Sequence, residues 1–472
     1  MDATPSYRRT LYAILITVVA GAVAGRVLST PRLGDPTYSD NDRSRWDTVR
    51  ALVDHGTYAI GHREDDPASS PKYKDSGIVT EEGWKTIDKV LQPDTHNFYS
   101  SKPPFLATLV AGEYWLLKKA FGWSITQERW AVVRVSVLTI NGLPFIVYLL
   151  LLSRLLEVYG KTDWGRFYVF AAAGFGTLLT TFVTVLNNHS VATCTALFAL
   201  YAALRIWSAS EPRPWHFMAA GFFAAFTAAC ELPAMSFLIQ LFLFLLYRSP
   251  RRTLLWFVPA AALPVAAFLW TNYLAVGQLR PAYGEFGGPW YEYEGSHWKI
   301  DPLETKRGID WAYQVEGPAD YAFNMLFGHH GIFSLSPIYL LTLAGIIYVF
   351  VNLSRRNSAD PERNTPPGLR MLAFLTLILS VIVICFYIFG VNERNRNYGG
   401  WTNGLRWLMW LTPFWLLTML PAADWLSLRR WGRVLGYVFL SVSVFSVNYD
   451  GWNPWRNPWL YNLFEARRWI HY

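Results

Sequence analysis

The chain has 472 residues, of which 52% are hydrophobic and 17% aromatic, while only 16% are charged. Soluble domains carry about a quarter of their residues as charges, so the deficit excludes an ordinary soluble enzyme and points to lipid as the solvent. The net charge of +8 is distributed over short loops, which argues against a nucleic-acid partner and for membrane topology as its cause.

Arg8 and Arg9 precede an apolar run at 11–27. Ala24-Gly25-Arg26 is a poor cleavage site, so the run reads as an uncleaved signal anchor with a cytoplasmic N-terminus. A polar segment follows outside. It opens with Ser39-Asp40-Asn41-Asp42-Arg43-Ser44-Arg45-Trp46 and closes with Tyr99-Ser100-Ser101-Lys102-Pro103-Pro104-Phe105. The next run, 106–121, carries Glu113, Lys118 and Lys119 and is short for a span. Laid along the interface, it puts Arg154, Lys161 and Arg166 inside, with the basic loops at 205–213, 248–252, 355–356 and 429–433.

The later predicted spans are 130–153, 167–186, 190–207, 214–231, 234–248, 253–276, 331–353, 369–390, 405–421 and 432–448. The expected fold is an all-α polytopic membrane protein with about eleven transmembrane helices. It forms one domain over 1–472, with a large first external loop (28–129) carrying interfacial helices, a second external loop (277–330) and an external tail (449–472). The expected location is a bacterial inner (plasma) membrane. Cys194, Cys230 and Cys385 lie in or beside apolar runs and read as small core residues.

Polar clusters outside the basic loops fall on the external side, so any chemistry is expected there. Asp40 and Asp42 sit where a carboxylate stays ionised and can take a proton, or together hold a divalent cation. Equally, Ser39, Asp40 or Asn41 can cap a helix starting at Arg43. Lys102-Pro103-Pro104 sets a lysine to grip a phosphate, or merely starts a helix beside a snorkelling side chain. Asn187-Asn188-His189 makes a tight turn, for which Asn187 is suited as a turn residue and His189 is open. Glu231, before Leu232-Pro233, is an ionisable group at membrane depth. The loop from Gln278 to His330 is rich in aromatics, including Tyr283, which suit sugars or the bilayer interface. His329 and His330 alone are weak zinc ligands. In the run from Glu393 to Trp407, with Arg396, Tyr398 and two glycines, Arg406 at the mouth of a span can grip a phosphate bidentately.

On these residues the chain resembles the GT-C superfamily of membrane glycosyltransferases, in its protein O-mannosyltransferase-like branch (family 39), which includes the lipid A aminoarabinose transferases. Asp42-Arg43-Ser44-Arg45-Trp46 is similar to that family's Asp-Glu-x-Arg-Tyr, with Arg43 in place of the second acid. Lys102-Pro103-Pro104-Phe105 is similar to its Lys-Pro-Pro-Leu. Further landmarks are Phe121-Gly122-Trp123-Ser124 with Arg129-Trp130-Ala131-Val132-Val133-Arg134, then Asn272-Tyr273-Leu274-Ala275-Val276-Gly277, Gly331-Ile332-Phe333-Ser334-Leu335-Ser336-Pro337, and Tyr398-Gly399-Gly400 with Leu405-Arg406-Trp407. Asn187-Asn188-His189 stands where the family often carries an aspartate.

The resemblance implies a polyprenyl-phosphate-linked sugar donor and an extracytoplasmic acceptor (lipid, glycan or protein), met in the bilayer. Asp42 would be the catalytic carboxylate, with Asp40 sharing the role. Lys102, Arg406 and Arg396 would contact the donor phosphate, and Arg45, His189, Glu231, Tyr283, His330 and Tyr398 would line the substrate cavity. No cofactor is assigned, and a divalent cation held by Asp40 and Asp42 is allowed. The alternatives are a transporter or flippase, or a non-catalytic binder, of lipid-linked glycans. Transport needs polar groups through the midplane, where this sequence is sparse.

Overall fold

A computed structural model of the chain describes residues 4–29, 35–299, 306–354, 366–449, 451 and 453–472. The Arg355-Arg356 loop and short parts of the two external loops and of the tail lie outside them. Among the described residues five helices are long and apolar enough to cross a membrane: α1 (Pro5–Leu28), α4 (Arg129–Tyr159), α6 (Asn188–Ser208), α9 (Pro250–Val276) and α11 (Gly368–Gly390). α8 (Leu232–Arg248) and α10 (Pro337–Asn352) are shorter apolar helices. The remaining helices used below are α2 (Asp40–Arg50), α3 (Pro104–Phe121), α5 (Asp163–Phe175), α7 (Pro214–Cys230) and α12 (Arg430–Asn448).

Three predicted spans are not single helices. The 331–353 run opens with a short helix at Ile332–Leu335 and restarts at Pro337 after Ser336. The 167–186 run ends α5 at Phe175, where Gly176 follows, and resumes only as a short turn at Leu179–Phe182. The 405–421 run breaks into a 3₁₀ turn at Arg406–Leu411 and a helix at Thr412–Thr418, with Pro413 at its start. Apolar composition marks a buried segment, but glycine and proline decide whether it is one helix. α6 and α7 instead pack closely, with Thr195 Oγ1 2.9 Å from Thr227 Oγ1 and Phe198 edge-on to Phe223.

The basic loops gather at one end of the bundle. Arg8 pairs with Glu157 at 2.9 Å and with Asp163 at 3.3 Å. Asp424 accepts from the N–H groups of Lys161 and Thr162, both at 2.9 Å. Arg248 donates to the Ala209 carbonyl at 3.0 Å and Arg252 to that of Pro212 at 2.6 Å.

The first loop holds an element that an all-α expectation lacks, a four-stranded antiparallel sheet in the order β2-β1-β4-β3. Its strands are β1 (Gly61–Asp65), β2 (Tyr73–Ser76), β3 (Lys89–Leu91) and β4 (Asn97–Ser100). The strands are short and polar, so no period-two apolar alternation announces them. The sheet docks on α2 through Ser44, whose Oγ donates to the Asp88 carbonyl at 2.6 Å and lies 2.6 Å from Ser100 Oγ. The tail also folds back, burying Trp455 and Tyr461.

Candidate functional site

The start of α2 settles where the two first-loop acids point. Ser39 Oγ accepts from the N–H groups of Asn41 (3.1 Å) and Asp42 (3.4 Å). Asp42 answers by accepting from Ser39 N–H at 2.7 Å, Ser39 Oγ at 2.8 Å and Tyr38 N–H at 3.0 Å. This is a capping box, and both Asp42 oxygens are engaged in it. Burial pushes the Asp42 carboxyl upward, and these hydrogen bonds offset that only in part. Asp40 turns elsewhere, accepting from Ile87 N–H at 3.0 Å and lying 3.8 Å from the Arg43 guanidinium. The pair therefore shares no cation cage. Among the described residues no group of three or more His, Cys, Asp or Glu is placed to hold a metal.

One turn along α2, Arg45 is almost fully buried. Its guanidinium donates to the Asn41 carbonyl at 2.8 Å and Asn41 Oδ1 at 2.5 Å, and reaches Asn188 Oδ1 at the head of α6. Asn187 caps that helix by accepting from Ser190 N–H at 2.7 Å, as turn chemistry predicts. Asn188 is thereby free to donate to Glu231 Oε1 at 2.6 Å and to the Cys230 carbonyl at 2.9 Å. Glu231, just past the end of α7, lies against His189 Nδ1, and His189 Nε2 receives Arg406 at 2.9 Å. A guanidinium only donates, so Nε2 is an acceptor and the ring proton sits on Nδ1, facing Glu231.

Arg406 is fixed from behind. It donates twice to the Gly399 carbonyl, at 2.8 and 3.2 Å, and stacks 4.8 Å over Trp455 from the tail. Tyr398, Gly399 and Gly400 all have positive φ (57°, 85° and 74°), the turn that presents this carbonyl.

Lys102 completes the set through Asp88, 2.9 Å away. The register Lys89↔Ser100 places Asp88 beside Ser101 and Lys102, and Ser100 Oγ accepts the Lys102 N–H at 3.1 Å. Burial alone would raise Asp88, but Lys102, then Arg406 and Arg45, hold its carboxyl below the ordinary range. Burial lowers Lys102, and Arg45 and Arg406 join it against the single opposing charge of Asp88, so the ammonium is pushed down to about 8. Arg45 is pushed down to about 10, by burial first and Arg406 second. Two buried guanidinium groups and the partly buried Lys102 thus feel one another, with Asp88, Asp42 and Glu231 as the opposing charges on Arg45. Burial raises the Tyr283 phenol, and the charge of Glu231 adds to it.

Of the predicted site residues, the structure brings together Arg45, Lys102, His189, Glu231 and Arg406, with Tyr283 in the field of Glu231. It sets Asp40 and Asp42 at the helix cap. His330, Tyr398 and Arg396 belong to a second cluster behind the Gly399 turn. There Glu316 accepts from Tyr398 OH at 2.5 Å, from Asn324 Nδ2 at 2.7 Å and from Tyr472 OH. His329 joins Tyr472 OH to His330 Nδ1 at 2.7 and 2.6 Å, His330 stacks on Tyr398, and Arg396 lies beside Tyr321. Sequence reasoning missed Asp88, which stands in no motif and is found only through the sheet register. It also missed the bridging roles of Asn41 and Asn188.

No family model and no curated protein matches the chain. Among solved structures it is similar to the archaeal oligosaccharyltransferase AglB from Archaeoglobus fulgidus, a structure in complex with an inhibitory peptide and a dolichol-phosphate. The identity is 11% and the TM-score 0.45, covering 98% of this chain and 58% of that one. The chain thus spans somewhat over half the length of that protein.

Proposed function

We propose that the chain is a membrane glycosyltransferase that moves a sugar from a polyprenyl-phosphate-linked donor to an extracytoplasmic acceptor. The observation that carries this reading is the convergence of Arg45 and Arg406, both buried, with the partly buried Lys102, beside the carboxylates Asp88 and Glu231 and within the field of Asp42 and Asp310. Lys102 and Arg45 are both pushed down by burial and by neighbouring cations, so a bound anion would stabilise their charged forms. A phosphate suits the site, since guanidinium groups bind phosphate through paired hydrogen bonds.

The chemistry follows from that placement. A carboxylate takes the proton of the acceptor hydroxyl as its oxygen bonds to the anomeric carbon. The bond from that carbon to the phosphate oxygen breaks, and its electron pair stays on the phosphate, where Lys102, Arg45 and Arg406 stabilise the added charge. Asp42 has its oxygens committed to the cap, so the proton acceptor in this reading is Glu231, oriented by Asn188 and His189. Asp88 keeps Lys102 in place.

The cluster lies at helix ends, where α6 begins and α7 finishes, and not at mid-span. That favours chemistry at one face over transport, which needs polar groups at the midplane. A non-catalytic binder of lipid-linked glycans is the second reading, favoured by the engagement of Asp42. Mass spectrometry of membrane lipids from cells carrying Glu231→Gln decides between them. Accumulation of one polyprenyl-phosphate sugar relative to wild type supports transfer. An unchanged lipid profile, with the variant folded and abundant, overturns it.

A further inference from the structure

At the opposite end of the bundle, the end that gathers the basic loops, a groove of about 470 Å³ runs between α6, α8 and α11. Its wall is formed by Trp207 of α6, Leu243, Phe244 and Tyr247 of α8, and Met371 and Phe374 of α11. Arg370, in the first turns of α11, is its one charged lining residue. Among the described residues no carboxylate lines it, and the Arg370 Nε is shielded from solvent without a hydrogen-bond partner. The depth is that of the membrane interface. Gly368, two residues before Arg370, abuts Tyr159 OH and Ser208 Oγ at the ends of α4 and α6. Tyr247 is 87% exposed beside it, as aromatic residues are at headgroup level.

A cation at the mouth of an apolar trough, at interface depth, is complementary to one kind of molecule. An uncharged lipid leaves the guanidinium unpaired, and a free phosphate leaves the trough unfilled. We propose that this groove seats an anionic phospholipid, with its phosphate on Arg370 and an acyl chain along Leu243, Phe244 and Phe374. The site is independent of the transferase reading. It adds to the bilayer, already expected as solvent, a lipid bound at a defined position.

The test is native mass spectrometry of the full chain, purified in neutral detergent, delipidated and titrated with phosphatidylglycerol or with diacylglycerol, which has the same acyl chains and no phosphate. Wild type is expected to retain one phosphatidylglycerol with at least about tenfold preference, as the loss of one charge-assisted contact implies. Arg370→Gln should abolish that preference, and Arg251→Gln, at the same end but outside the groove, should keep it. Should Arg370→Gln fail to fold, Leu243→Trp, which fills the trough and leaves the charge, should displace the lipid instead. Equal retention of the two lipids, an unaffected Arg370→Gln, or equal protection by inorganic phosphate would each overturn the proposal.

Discussion

Arg406 donates to His189 Nε2 at 2.9 Å, a contact that closes a hydrogen-bonded path from the first loop to the last quarter of the chain. The path runs from Asn41 through Arg45, Asn188, Glu231 and His189 to Arg406 and the Gly399 carbonyl. Arg406→Lys keeps the charge but cannot hold His189 and Gly399 at once. Hydrogen bonds to charged groups are worth about 1.5–3 kcal/mol, so kcat/KM for transfer should fall roughly 10- to 150-fold. An unchanged kcat/KM would remove Arg406 from the site.

Asp42→Asn and Ser39→Ala test the cap. Both should lower stability by about 1 kcal/mol, the usual value of an N-cap, and lower transfer only in proportion to folded protein. Thermal unfolding in detergent, run beside the transfer assay, distinguishes the roles. If Asp42→Asn kills transfer at unchanged stability, the carboxylate acts in the chemistry and the assignment to Glu231 fails.

Lys102 gives the site a pH dependence. With its ammonium pushed down to about 8 in the free protein, it loses its charge as pH rises through that value. Donor affinity should therefore weaken between about pH 7 and 9, because the group that binds phosphate is the protonated one. Lys102→Arg, charged throughout, should flatten the profile. A wild-type Kd constant over that range would count against Lys102 as a phosphate contact.

Asp47 is fully buried on α2 with neither oxygen hydrogen-bonded among the described residues, and burial pushes its carboxyl well above the ordinary value. The folded state then binds a proton that the unfolded state has released, so stability falls as pH rises from about 4. Asp47→Asn should flatten that slope in unfolding experiments between about pH 4 and 8. The idea fails if wild type and variant show the same slope.

Glu316→Gln should destabilise the second cluster by about 1–3 kcal/mol. An amide replaces one acceptor oxygen with a donor, facing two tyrosine hydroxyls and an asparagine amide. Circular dichroism melts read this directly. A melting temperature within error of wild type would show that the network carries no stability.

A cap at Ser39 was legible in the sequence as one of three candidates, with Asp40 and Asn41, because a cap is local: all its partners lie within four residues; the share Asp42 takes in it was not read. The turn role of Asn187 was readable for the same reason. Asp88 was not, because a three-residue edge strand and the Ser44 contact decide its place. Nor was the separation of Tyr398 and His330 from Arg406, since adjacent residues at the Gly399 turn face opposite clusters.

By itself the sequence determined that this chain is a helical membrane protein and that its cationic residues group by loop. Hydrophobicity and the spacing of charges are sums over local composition, and the solvent they imply does not depend on how the chain folds back. Which charges meet was decided only by the tertiary structure. A buried cation is tolerated where carbonyls, carboxylates and amides from distant segments converge on it, and here α2, β3, α6, α7 and the Gly399 turn supply them together.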